Sequence, residues 1–269
     1  MDSRADRLPP VLLFGGTTEG RELAARLAER GQRTILCVAT DYGREVLDSA
    51  LRANPCLDVR VKRMDGEEIA RLILEQKPGL VVDATHPYAE QVTRNVREAC
   101  EKTGRECLRC LRPGSGREEA QRGVVRVPSV EASVEWLSAR DGNILVTTGS
   151  KELAAFTRIP DFAVRVYARV LPALASLREC LDRGLSGRHI IAMQGPFSVE
   201  TNRSQLAEFD CRFLVTKDTG DKGGFREKVQ AAAEAEAVAL VIERPEAEQG
   251  LSVEAVMERY EQWRRTRHV

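Results

Sequence analysis

The sequence predicts an α/β protein built from two parallel-sheet domains, and three observations predict it. Residues 11 to 31 read strand, glycine-rich turn, helix: Val11 to Phe14 are apolar, Gly15, Gly16 and Gly20 follow, and Leu23, Leu27 and Ala28 mark a helix face that Gly31 can end. Short apolar runs then alternate with amphipathic stretches along the chain, the pattern of βαβ units. The alternation breaks once, between Arg112 and Val130, where P-G-S-G-R-E-E-A-Q-R-G is polar and glycine-rich. The expected division is a tail over 1–10, a first domain over 11–125 and a second over 126–269.

In the first half, strands are expected at Thr34 to Ala39, Leu57 to Val61, Leu80 to Asp83 and Glu106 to Leu111. Between them, Val46, Leu47, Ala50 and Leu51 stripe one helix, Ile69, Leu72 and Ile73 another, and a third runs from about Tyr88 to Lys102. Val124 to Val127 reads as one more short strand. In the second half, Ile144 to Thr147, Ala163 to Tyr167, Ile190 to Met193, Phe213 to Thr216 and Val238 to Ile242 read as strands. Leu251 to Arg265 closes the chain as a helix with Val253, Val256, Met257 and Tyr260 on one side. Two such domains of similar size would leave a ligand-binding cleft between them.

A chain of 269 residues is long enough for two cores. Lys plus Arg is 41 and Asp plus Glu is 41, so no net field draws it to nucleic acid or to an anionic membrane. No apolar run approaches membrane-spanning length, and M-D-S-R-A-D-R-L-P-P has no signal core. Seven cysteines scattered singly fit reduced thiols and a cytoplasmic setting. Cys107 and Cys110 form a C-x-x-C inside an expected strand, with no second ligand pair, so neither zinc nor redox chemistry is assigned to them. His86, His189 and His268 lack metal-ligand spacing, and no metal is expected.

Strand, glycine turn and helix together point backbone N–H groups and a positive helix end at an anion, usually a phosphate. The glycines depart from G-x-G-x-x-G, since Gly15 and Gly16 are adjacent and Thr17, Thr18 and Glu19 intervene; an ordinary tight βα turn is the competing reading. Further polar motifs follow the other expected strands: T-H-P-Y at 85–88, T-T-G-S-K at 147–151, Q-G-P-F at 194–197, T-K-D-T-G-D-K-G-G at 216–224 and E-R-P at 243–245. Their common place at the carboxyl edge of the strands favours a ligand-binding role for the set.

G-G-T-T-E-G-R, D-A-T-H-P-Y-A, T-T-G-S-K-E-L, M-Q-G-P-F-S-V-E-T-N and V-T-K-D-T-G-D-K-G-G-F-R-E-K occur in that order between about residue 11 and residue 245. Together they resemble the precorrin-6A reductase family of cobalamin biosynthesis, in its cobalt-free and cobalt-containing branches. The resemblance implies two Rossmann-like domains and NADPH or NADH as the reductant of one ring double bond in a polycarboxylate tetrapyrrole. It implies cofactor contacts at Gly15, Gly16, Thr17, Glu19 and Gly20, with Thr17 donating to a phosphate oxygen. Glu19 would repel phosphate, so it accepts from an amide, a ribose hydroxyl or Arg21, or serves only as a first-turn helix acid.

Thr40, Asp41 and Arg44 follow the second strand, where the adenosine ribose of such a cofactor sits. Asp41 would favour NADH and Arg44 the 2′-phosphate of NADPH, and with both present the choice stays open; a turn with a helix cap is the other reading. Thr85 joins the cofactor set, and His86 at the strand end is the candidate catalytic group. Gly149, Ser150, Lys151, Gln194, Gly195, Asn202, Lys217, Asp218, Lys222 and Arg244 form the candidate substrate set, because ammonium groups and turn amides suit carboxylates. No general acid stands out, which leaves water to supply the proton. A tetrapyrrole methyltransferase and a non-catalytic nucleotide-sensing domain are the alternatives.

Overall fold

The structure, a computed structural model, describes residues 8–111, 123–218, 224–243 and 250–266. The chain divides into two compact units, Met1–Pro113 with Ala247–Val269, and Gly114–Glu246.

The first unit opens with β1 (Val11–Phe14), α1 (Thr18–Glu29), β2 (Thr34–Val38), α2 (Asp41–Glu45), α3 (Ser49–Arg52), β3 (Leu57–Val61), α4 (Gly66–Gln76), β4 (Leu80–Asp83), α5 (Glu90–Thr103) and β5 (Cys107–Arg109). Its sheet runs β3-β2-β1-β4-β5 with every pair parallel. The order reverses direction between β1 and β4, so the carboxyl ends of these two strands form the switch point where such sheets bind ligands. Strand alternation explains the two-faced core. Val11, Leu13, Leu36, Val82 and α1's Leu23 and Leu27 pack on one face, whereas Leu12, Phe14, Ile35, Val81, Ile69, Ile73 and Val96 pack on the other.

The second unit contains β6 (Val124–Val127), α6 (Val130–Ser138), β7 (Asn143–Val146), α7 (Leu153–Phe156), α8 (Phe162–Arg165), β8 (Val166–Val170), α9 (Leu174–Asp182), β9 (Ile190–Ala192), α10 (Val199–Glu208), β10 (Cys211–Lys217), α11 (Phe225–Glu234) and β11 (Val238–Ile242). Its sheet runs β6-β11-β10-β7-β8-β9, again all parallel, with the switch point between β7 and β10. One of its cores joins Leu145, Tyr167, Leu214 and Val241 to Leu206 of α10 and Phe225 of α11.

The chain then returns to the first unit. Leu251 pairs with the end of β5 through its amide to Arg109 O (2.8 Å) and its carbonyl from the Leu111 amide (2.9 Å). Helix α12 (Val253–Arg265) follows, capped by Ser252. Val253, Val256, Met257 and Tyr260 enter the same core as β1 and α1, and Arg30 and Glu261 pair at 2.9 Å.

Four expectations need correction. The closing helix was assigned to a domain over 126–269, but its apolar face completes the first core. The boundary at 125 cuts through β6, which pairs with β11 along its whole length. The helix expected from Val46 to Leu51 spans the break between α2, which ends at Glu45, and α3, because the Asp48 carboxylate accepts from the Ala50 amide (2.8 Å) and starts a new turn at Ser49. The strand expected at 163–167 lies at 166–170; its apolar start, Phe162 to Val164, is helical. Of the expected tail, residues 1–7 lie outside the described residues, while Pro9 and Pro10 are anchored: their carbonyls accept from Gln32 Nε2 (3.0 Å) and the Gly79 amide (2.9 Å).

Candidate functional site

The glycine turn sits at the first switch point. Gly15 donates its amide to Cys37 O (2.9 Å). Gly16 has φ +128°, a value that side chains rarely allow, and a Cβ built there meets nothing within 4 Å. A Cβ on Gly20 would lie 3.1 Å from Gly15 Cα and 3.5 Å from Ala84 O, so this glycine lets α1 pack tightly on the strand ends. Among the described residues none accepts from the amides of Gly16, Thr17 and Thr18. Three amides without a partner among the described residues therefore lie at the positive end of a 12-residue helix, beside an open glycine.

Thr17 was expected to donate to a phosphate. Instead its hydroxyl donates to Ala84 O (2.9 Å) and accepts from the Gly20 amide (3.1 Å), so its side chain ties α1 to the end of β4. Glu19 is buried at 6 % exposure in the first turn of α1. Thr85, another expected cofactor contact, turns inward as well. Its amide (3.0 Å) and hydroxyl (2.7 Å) both donate to Asp83 Oδ1. Arg109, at the end of β5, closes this cluster with 3.1 Å to Asp83 Oδ1 and 3.0 Å to Thr85 O. Asp83 and Arg109 are almost wholly buried, and Asp83 Oδ2 has no hydrogen-bond partner among the described residues.

His86 Nδ1 accepts from the Tyr88 amide at 3.4 Å, and its ring leans on Tyr88 with centroids 5.6 Å apart. At the end of β2, Thr40 caps α2 through the Gly43 amide (3.3 Å), and Asp41 and Arg44 pair at 2.9 Å with both side chains exposed. The structure therefore brings the acid and the arginine together rather than choosing between them.

In the second unit, Thr147 follows β7 and donates its amide (3.0 Å) and hydroxyl (2.7 Å) to Val215 O. Gly149, Ser150 and Lys151 lead into a single 3-10 turn over Ser150–Glu152, with Lys151 exposed. Lys217 was expected to stand ready for substrate, but its ammonium contacts Glu152 Oε1 in a closely paired bridge that joins this loop to β10. Asp218, at 7 % exposure, lies 3.5 Å from Arg126. Gln194 and Gly195 are exposed, and Gly195–Pro196 is a cis peptide. Lys222 and Arg244 lie outside the described residues.

Asn202 is also redirected. It is fully buried on α10, where its Nδ2 donates to Ser198 O (2.8 Å) and its Oδ1 accepts from Arg169 Nη1 (2.8 Å). Arg169, Asp83 and Arg109 are the polar residues that sequence reading missed. A charged residue inside an apolar strand run, as in V-Y-A-R-V, is the signal that marks Arg169. Burial pushes the Cys37, Cys110 and Cys211 thiols up to about 12, which keeps them protonated near neutral pH. Among the described residues no three histidine, cysteine or acidic side chains gather as a metal site, and no helix is long and apolar enough to cross a membrane.

The strand order 3-2-1-4-5 and the glycine turn at its switch point define a Rossmann-like α/β protein. A family model, described as precorrin-6x reductase CbiJ/CobK, matches residues 10–261. The chain belongs to that family, a family of oxidoreductases in cobalamin biosynthesis. It is 32 % identical over 242 residues to the cobalt-precorrin-6A reductase of Priestia megaterium, covering 89 % of this chain and 92 % of that one. It is 32 % identical over 244 residues to the enzyme of the same name from Methanothermobacter thermautotrophicus, covering 88 % and 76 %. A solved structure of CobK precorrin-6A reductase superposes with a TM-score of 0.75 at 24 % identity, covering 95 % of this chain and 98 % of that one, which establishes the shared fold.

Proposed function

We propose that this protein uses NADPH or NADH to reduce one ring double bond of cobalt-precorrin-6A or its cobalt-free counterpart. The observation that carries the cofactor is the turn from Gly15 to Gly20, whose three unpartnered amides and open Gly16 suit a pyrophosphate. The residues present fit the group. When bound, the dihydronicotinamide supplies a hydride to a ring carbon, and a proton completes the reduction at the neighbouring atom.

The chain's own contribution is binding and orientation. The amides of Gly16, Thr17 and Thr18 hold the phosphates, while Gly20 and the Thr17 hydroxyl fix α1 against β4 so that these donors keep their aim. Asp41 and Arg44 at the end of β2 meet the ribose, and Arg44 gives a 2′-phosphate its cation. The buried Asp83–Thr85–Arg109 cluster locks the loop that carries His86 at the strand end, where its imidazole is the candidate group beside the cofactor. In the second unit, Lys151, Gln194 and the turn at Gly149–Ser150 supply donors for substrate carboxylates, and the Lys217–Glu152 pair holds that turn against β10. Water supplies the proton. The setting is cytoplasmic.

Following 340 nm absorbance with cobalt-precorrin-6A and with precorrin-6A, each with NADPH and with NADH, tests this reading. Turnover with at least one pairing is expected. Cobalt-precorrin-6A is the first substrate to try, since both relatives above carry that name. Tight binding of S-adenosylmethionine without reduction would point to a methyltransferase instead. Nucleotide binding with no turnover of either substrate would favour the sensing alternative.

A further inference from the structure

Arg169 occupies the second-to-last position of β8, at the ligand-facing edge of the second sheet. Its side chain is buried, with the residue 5 % exposed. Nη1 donates to Asn202 Oδ1 and to Gln205 Oε1, both at 2.8 Å, and the guanidinium lies over the Phe197 ring at 4.1 Å. These acceptors are neutral amides. Among the described residues no carboxylate pairs with Arg169, and Nη2 is buried with no acceptor. A buried guanidinium with a spare donor edge is costly, and structural arginines normally reach an acid.

A second cation shares the neighbourhood. Lys228, in the first turn of α11, is 9 % exposed; burial and then the nearby Arg169 charge push its ammonium down to about 8, against a smaller pull upward from Glu227. Two buried cations therefore face each other's field close to a helix start, where the macrodipole is positive. The third side comes from the Q-G-P-F motif. A Cβ on Gly224 would stand 3.8 Å from Pro196 Cβ and 3.8 Å from Glu227 Oε2, so the loop that carries Phe197 abuts the start of α11. Gln194, Gly195 and Pro196 in this loop are exposed.

We propose that Arg169 is the centre of an oxyanion site in the second unit, walled by Phe197, and that a carboxylate arm of the substrate fills it. The identity of the occupant rests on the tetrapyrrole reading above; the existence of the site does not. A carboxylate meeting Nη2 neutralises the guanidinium, and Asn202 and Gln205 hold the fork in place through Nη1. Asn202 is then a positioning residue rather than a ligand contact.

The test uses the purified full-length chain. Thermal midpoints are measured against increasing inorganic phosphate and propane-1,2,3-tricarboxylate, with chloride at matched ionic strength as the reference, for wild type and Arg169→Met. With the first-unit turn filled by saturating NADPH in every sample, a saturable rise in wild type that Arg169→Met abolishes is expected. No rise in wild type, or an equal rise in the variant under these conditions, overturns the site. Should Arg169→Met fail to fold, Arg169→Lys answers the same question: half-saturation moves up severalfold, or it does not move and the site is refuted. The source of the oxyanion is separated by kinetics. Arg169→Met is expected to raise the KM for the tetrapyrrole at least tenfold with the NADPH Kd unchanged; a raised NADPH Kd with an unmoved tetrapyrrole KM would give the site to a cofactor phosphate and overturn the substrate assignment. A wild-type chain that binds the simple anions but turns over no tetrapyrrole would leave the site standing and remove the functional reading.

Discussion

Replacing Gly16 by valine separates the anion-binding role of the first turn from its structural role. At φ +128° a branched residue is strained, at about 1–3 kcal/mol. Space is not the obstacle, since nothing lies within 4 Å of the new Cβ position, so the variant is expected to fold with its melting point lowered by a few degrees per kcal/mol. The side chain would then stand over the amides of Gly16, Thr17 and Thr18. Losing two hydrogen bonds to a charged phosphate costs about 3 kcal/mol or more, which is roughly a hundredfold in Kd. Calorimetric titration with NADPH and NADH reads the affinity, and circular dichroism confirms the fold. A folded Gly16→Val chain that binds both cofactors as tightly as wild type would refute the reasoning and take the first turn out of the site.

Asp83→Ala removes the acid that holds Thr85 and Arg109 and leaves a buried guanidinium; a loss of about 3–5 kcal/mol is expected in chemical denaturation, and a loss under 1 kcal/mol would mean that the cluster is not structural. Arg44→Ala should weaken NADPH by about 1.5–3 kcal/mol and leave NADH and the melting point nearly alone, because the exposed Asp41 pair contributes little; equal effects on both cofactors would show that Arg44 does not read the ribose. Lys217→Met leaves Glu152 partly buried without its cation, so stability should fall along with a severalfold rise in substrate KM; a changed cofactor affinity with KM unmoved would move this loop to the cofactor. Lys228 gives a pH signature. Its folded pKa, about 8, lies below its ordinary 10.5, so between these values the unfolded chain holds a proton the folded one has released. Stability from this group therefore rises with pH across that window, by about 3 kcal/mol, in the field of Arg169 and Glu227. Wild type minus Lys228→Met should show the rise in urea melts at pH 7 and 10, and a flat difference would contradict it.

Most strands were legible because both faces of a parallel sheet are buried, so each strand reads as an apolar run that stands out from its surroundings; Val11–Phe14 and Val238–Ile242 are examples. β8 was misplaced for the opposite reason. Arg169 interrupts its apolar run, and the hydrophobic Phe162–Val164 just before it belongs to a helical turn. The fate of α12 was not legible either. Its apolar stripe at Val253, Val256, Met257 and Tyr260 says that one face is buried, but not against which sheet, since a long-range return leaves no local mark. At the candidate site, the glycines were readable because backbone geometry demands them. The side chains were less so: Thr17, Thr85 and Asn202 are polar residues beside strand ends, a pattern shared by ligand contacts and by groups that satisfy buried polar atoms, and in the structure Thr17 and Asn202 donate to backbone carbonyls while Thr85 donates to Asp83.

The central claim is that the turn after β1 holds a nicotinamide dinucleotide for reduction of a corrin precursor. Its most direct test is a single-turnover reaction of the purified chain with cobalt-precorrin-6A and NADPH deuterated at C4, read by mass spectrometry. The account predicts a product heavier by one deuterium from the cofactor and one hydrogen from solvent, formed by wild type and slowed in Gly16→Val at subsaturating cofactor. A product carrying only solvent hydrogen, or the same rate in both chains, would contradict it.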